Sequence, residues 1–182
     1  MIKMPELLLI AGTGRNSGKT TLACHIIKNF SSMFPIVAIK ITPHFHQTNN
    51  SDMTIIEREN LIIIDEANDE TRKDSSLILK AGAIKSYFVM AKDDQLKEAL
   101  LLIIKQIPDK IPIVCESGGL RHWVEPGIFL MMNRSDNNTF KPGVKDLKIV
   151  ANHWITFDGK EIDFDVNTIN YSGDKWKITK EK

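Results

Sequence analysis

Apolar runs and amphipathic stretches alternate along the first two-thirds of the chain. Residues 6–11, with Leu7-Leu8-Leu9-Ile10-Ala11 unbroken, predict a strand buried on both faces. Residues 18–30 follow with apolar positions at Leu22, Ala23, Ile26, Ile27 and Phe30, the spacing of one helix face. Residues 35–41, Pro-Ile-Val-Ala-Ile-Lys-Ile, form a second nearly all-apolar strand, so the first three elements make a βαβ unit.

A polar loop is expected over 42–52. Thr54-Ile55-Ile56 and Leu61-Ile62-Ile63-Ile64 then flank Glu57-Arg58-Glu59-Asn60, which reads as a hairpin or as two short strands. Asp74 is placed to cap a helix over 75–81 that stops at Gly82. Residues 86–90 read as a strand. Residues 95–107 read as a helix with Leu96, Leu100, Ile103, Ile104 and Ile107 on its inner face.

Two more strands are expected, at 111–116 and 128–132, with a polar loop over 135–143. Residues 149–157 and 160–164 alternate around Asp158-Gly159, a strong hairpin turn signal. The residues from 168 onward are polar and read as a loose tail. The fold class that follows is α/β: a mainly parallel sheet with helices on both faces and a C-terminal β-hairpin extension at about 149–165. The 182 residues are most simply one domain, 1–182.

Composition narrows the function classes. A net charge of +1 provides no field for nucleic acid or a membrane surface, so neither is expected as a partner. No apolar run reaches the length of a membrane span, and the N-terminus lacks a secretory pattern. Cys24 and Cys115 stand at core positions, as suits a reducing cytoplasm.

The candidate chemistry begins where the first strand ends. Gly12-Thr13-Gly14-Arg15-Asn16-Ser17-Gly18-Lys19-Thr20-Thr21 joins a buried strand to a helix, the context of a phosphate-binding loop. Gly12, Gly14 and Gly18 let the backbone curl so that N–H groups face an anion, and the helix start adds positive potential. Arg15, Asn16 and Ser17 complete the loop. Lys19 is a point charge for the β- and γ-phosphates, and the Thr20 hydroxyl is a Mg²⁺ ligand. Gly12 lies one residue farther back than the common spacing, so the loop is one residue longer.

In parallel sheets, ligands bind at the carboxyl ends of the strands. Strand two ends at Lys40, followed by Thr42, His44 and His46. Another ends at Glu116, before Ser117-Gly118-Gly119, and offers a Mg²⁺ carboxylate. Asp65, after Leu61-Ile62-Ile63-Ile64, is the rival acid, ranked second because a hairpin there would turn it away from the central strands. Asn133-Arg134-Ser135-Asp136 has the spacing of a guanine-reading Asn-Lys-x-Asp element, with Asn133 and Asp136 facing the base.

Gly12-Thr13 with Gly18-Lys19-Thr20, Ile39-Lys40 before His44, Lys73-Asp74-Ser75 with Ala81-Gly82-Ala83, and the strand ending in Glu116 occur in an order that resembles the molybdopterin-guanine dinucleotide biosynthesis protein B family. These are P-loop GTP-binding proteins of the SIMIBI class. The long loop and Glu116-Ser117-Gly118-Gly119 are also similar to dethiobiotin synthetase, which uses ATP and Mg²⁺. The first resemblance implies slow GTP hydrolysis in molybdenum cofactor biosynthesis, a homodimer and a cofactor-biosynthesis partner. The second implies an ATP-dependent ligase in which Lys40 faces the substrate. A nucleotide-gated adaptor is the third class. GTP or ATP with Mg²⁺ is the expected ligand set, with Lys19 and Lys40 as the catalytic candidates.

Overall fold

The first strand, β1 (Ile2–Gly12), lies inside the sheet because its apolar run has no polar face to offer solvent. The computed structural model describes residues 1–47, 53–136, 140 and 143–179. Parts of the polar loops expected at 42–52 and 135–143, and the end of the tail, lie outside the described residues.

After β1 come α1 (Lys19–Phe30), β2 (Val37–Thr42), β3 (Met53–Arg58), β4 (Leu61–Glu66), α2 (Asp74–Lys80) and β5 (Lys85–Ala91). Then follow α3 (Leu96–Ile104), β6 (Ile113–Glu116), β7 (Val124–Arg134), α4 (Val144–Val150), β8 (His153–Phe157), β9 (Ile169–Tyr171) and β10 (Trp176–Ile178). The main sheet has eight strands in the order β3-β4-β5-β2-β6-β1-β7-β8. From β5 to β8 every neighbouring pair is parallel. β4 runs antiparallel to β5, and β3 to β4, so the expected hairpin forms.

Alternation within β1 sends its side chains to two separate cores. Leu8 and Ile10 meet Ala38, Val114, Ile128 and Leu130 under α1 and α2. Leu7 and Leu9 meet Val37, Ile39, Ile113 and Phe129 under α3 and α4. Helices therefore cover both faces, as the apolar strands require.

Three expectations need correction. The extension at 149–165 is not a hairpin. Val144 and Leu147 are buried three residues apart, a helical spacing, and residues 144–150 form α4 while Ile149 stays 82% exposed. β8 then joins the main sheet parallel to β7, from Leu130↔His153 to Arg134↔Phe157. The Asp158 carboxylate does accept from the amides of Lys160 and Glu161, but beyond that turn only an isolated Phe157↔Ile162 bridge forms.

The tail is not loose either. It makes the antiparallel pair β9–β10, and Ile169, Tyr171 and Trp176 are buried against α1. Trp176 meets Phe30 edge-on at 5.2 Å, and Tyr171 meets Phe34 at 5.3 Å. Three large apolar side chains among polar neighbours are enough to anchor the segment. Third, Asp74 is not a capping residue: α2 begins at Asp74, and its carboxylate is engaged by Lys40.

Trp176→Ala should lower stability by about 3–5 kcal/mol in urea unfolding, the cost of emptying a buried aromatic site. A loss under about 1 kcal/mol would mean that the tail is not part of the core.

Candidate functional site

The turn between β1 and α1 is built around two glycines. Gly18 has φ 83°, in the left-handed region, and sits immediately before α1. A side chain at Gly12 would place Cβ 2.4 Å from Ser17 Oγ and 3.0 Å from Lys19 Cδ. Gly12 therefore leaves the space across which the lysine stem lies. Lys19 Nζ donates to the Gly14 carbonyl at 2.8 Å and to Ser17 Oγ at 3.1 Å. Asn16 is also left-handed, with φ 55°, so the turn mixes hands in the manner of anion-holding backbone nests. Below it, the Thr13 amide donates to the Met132 carbonyl at 2.9 Å, and Thr13 Oγ1 donates to Asn133 Oδ1 at 3.1 Å. Those bonds tie the turn to the end of β7.

Sheet register supplies the second part. Lys40 on β2 is directly opposite Glu116 on β6, and Glu116 is opposite Ile10 on β1. Partners in register point to the same face, here the α1 face, because Ala38 and Val114 two residues earlier belong to that core. Glu116 is 2% exposed. Its Oε1 accepts from Lys40, and its Oε2 accepts from Thr20 Oγ1 at 2.8 Å. Lys40 Nζ also reaches Asp74 Oδ2 at 2.8 Å. Burial alone would lower the Lys40 pKa, but the carboxylates of Glu116 and Asp74 outweigh it and the net direction is upward. Lys40 is therefore a cation at neutral pH.

These groups open onto a cleft of about 1280 Å³ at the carboxyl ends of the parallel strands. The turn residues Gly12, Gly14, Arg15, Asn16, Ser17, Gly18, Lys19, Thr20 and Thr21 all line it, with Lys40 and Glu116. Arg15 Nη2 is 3.1 Å from His44 Nε2, linking the turn to the segment after β2. The cleft is larger than the roughly 300–1,000 Å³ usual for a single ligand site. Its far half, after β2, β5 and β6, carries His46, Asp93, Gly118 and Trp123.

Three other lining residues were given no place at the site from sequence. Asp74 was read as a helix cap. Phe157 was read as part of a hairpin, yet its ring lies against Gly18, within 2.7 Å of where a Cβ would be. Cys24 lies on the helix face toward the cleft. Burial, then the charges of Asp74 and Glu116, push its thiol up to about 11, so it stays protonated. The spacing Lys73-Asp74-Ser75 was a usable signal for Asp74; nothing local marked Phe157.

Other expected residues fall elsewhere. Asp65 sits opposite Tyr87 near the start of β5, because β4 runs antiparallel. Register puts it level with Cys115, but three strands away from Glu116 and on the opposite face of the sheet, ion-paired with Lys85 at 2.9 Å. Asp136 is exposed and paired with Arg134 at 2.7 Å, and neither it nor Asn133 lines the cleft, although Arg134 does.

The oxygens of Thr20 and Glu116 are hard donors of the kind Mg²⁺ takes, and they converge beside the glycine-rich turn. The donor set thus fits that ion. Among the described residues no group of three or more His, Cys, Asp or Glu side chains forms a cage. A divalent ion here would draw its other ligands from phosphate and water, the usual habit of Mg²⁺.

Comparison with family models, with curated proteins and with solved structures finds no match to this chain. No helix among the described residues is long and apolar enough to cross a membrane.

Asp65→Asn removes a partly exposed ion pair and should change stability by no more than about 1 kcal/mol. It should leave any ligand response of the cleft unchanged in a thermal-shift assay. A ligand response lost with Asp65 would place the functional acid on the other face of the sheet, away from the cleft.

Proposed function

We propose that this protein binds a purine nucleoside triphosphate with Mg²⁺ and hydrolyses it slowly. The observation that carries the reading is the convergence, at one end of a parallel sheet, of a glycine-rich turn, Lys19, Thr20 and the buried Glu116. Backbone amides of residues 14–20 hold the phosphates. Lys19 exchanges its intraloop partners for phosphate oxygens and offsets charge at the β–γ bridge. Thr20 and Glu116 hold the metal, which, when bound, supplies charge neutralisation at the phosphates. Glu116 is already engaged by Lys40 and Thr20 and is not a free proton acceptor, which supports a slow reaction.

The order of motifs supports a place in molybdenum cofactor biosynthesis, as a homodimer working with a partner protein. A ligase is the second reading, and one observation favours it. The cleft exceeds a single ligand's needs, and its far half lies beyond Lys40, where an acceptor would sit.

The expected guanine preference has less support in the geometry. Asp136 is held by Arg134 and Asn133 by Thr13, and neither lines the cleft. Phe157 and Arg134 line it instead and offer a ring and a guanidinium for stacking, which either purine satisfies.

Lys19→Ala should abolish triphosphate binding in a fluorescent-nucleotide titration, with the melting transition retained. Binding as tight as the parent's would reject the reading. In competition, GTP and ATP should differ by less than about tenfold, a gap of about 1.4 kcal/mol. A larger preference for GTP that disappears in Asp136→Asn would restore the guanine-reading assignment.

A further inference from the structure

Glu116 is the acid best placed for a divalent ion, yet both of its oxygens are occupied by the chain itself. Thr20 Oγ1 donates to one at 2.8 Å, and the Lys40 ammonium holds the other. Lys40 in turn has a second anchor, Asp74 Oδ2, at 2.8 Å. The two anchors differ in setting. The Glu116 side chain is 2% exposed, whereas that of Asp74 is 44% exposed, at the cleft wall where α2 begins. One ammonium therefore bridges a buried acid and a solvated one.

We propose that Lys40 is a resident cation that occupies Glu116 until a triphosphate enters, and that Asp74 is the anchor to which Lys40 then retreats. This rests on the triphosphate reading of the cleft and assigns Lys40 and Asp74 roles within it, as positioning residues that make metal binding conditional on nucleotide.

A buried carboxylate needs a charged partner, and Lys40 supplies one in the free protein. A divalent ion at the same carboxylate faces repulsion from that ammonium, so free metal binds poorly. Triphosphate brings several negative charges beside Lys19 and Lys40 and removes the penalty for a second cation. Lys40 needs no new partner when it leaves Glu116, because Asp74 is already within hydrogen-bond distance. Nucleotide and metal are therefore coupled through Lys40, and the coupling is reciprocal.

The test uses Mn²⁺ as the probe, with free Mn²⁺ counted by electron paramagnetic resonance on the full chain. Without nucleotide, Lys40→Met should bind Mn²⁺ at least about tenfold more tightly than the parent, within the usual range of coupling between sites. Adding Glu116→Gln to it should remove the gain. Thermal melting checks that each variant is folded. If Lys40→Met does not fold, Asp74→Asn decides, since that residue is partly exposed. With the site saturated by a non-hydrolysable triphosphate, Asp74→Asn should weaken Mn²⁺ binding by about tenfold, because Lys40 no longer has an anchor to receive it.

Unchanged or weaker Mn²⁺ binding in nucleotide-free Lys40→Met overturns the proposal. So does an Asp74→Asn protein that binds Mn²⁺ as the parent does with nucleotide present. A parent that binds no triphosphate even with Mg²⁺ present would defeat the triphosphate reading by itself. The nucleotide-free comparison of Lys40→Met with the parent would still report on Lys40.

Discussion

The structure depends on a carboxylate buried between two parallel strands and a helix. Glu116 is almost without solvent contact, and an ionised group there is tolerated only when its oxygens are paired. The register of β2 against β6 places Lys40 directly beside it, and the first turn of α1 brings Thr20 to its other oxygen. The position of α1 is set by the turn that precedes it, where Gly18 takes a left-handed conformation and Gly12 leaves room for the lysine stem. Strand register, turn geometry and helix placement are thus coupled through one acid. A slip of β2 by one residue would move Lys40 to the opposite face and leave Glu116 unpaired.

The same constraint organises the cleft. β1, β2, β6 and β7 end at nearly one level, so the turn, Lys40, Glu116 and Arg134 open together. β8 extends that edge and brings Phe157 against Gly18. On the same side of the sheet, Ile169, Tyr171 and Trp176 close the core over α1, so the C-terminal pair stabilises the helix that carries Lys19 and Thr20. The distance from tail to turn is bridged by one helix, which is how remote apolar residues support a polar site.

Much of this was legible in the sequence where a residue's role is local. The apolar runs of β1 and β2 and the helical spacing of α1 fix their own structure, and the glycine-rich turn announces itself between them. The antiparallel turn before Leu61 removed Asp65 from the central strands, as its short spacing implied. What was not legible depended on tertiary pairing. Residues 149–164 carry a strong turn signal, but the open edge of β7 took 153–157 as a parallel strand and left only the Phe157↔Ile162 bridge across the turn. Asp74 has the local signature of a cap, and only the approach of α2 to β2 turns its carboxylate toward Lys40. The tail looked polar because a mean over its residues hides three aromatic or branched anchors.

The central claim is that the turn at residues 12–20 holds phosphate through its backbone. The direct measurement is the amide spectrum of the isotopically labelled protein, titrated with a non-hydrolysable nucleoside triphosphate and Mg²⁺. The account predicts that the largest shifts fall on the N–H groups of residues 14–20, with smaller ones at Lys40 and Glu116. No response, or shifts confined to the far half of the cleft near Asp93 and Trp123, would contradict it.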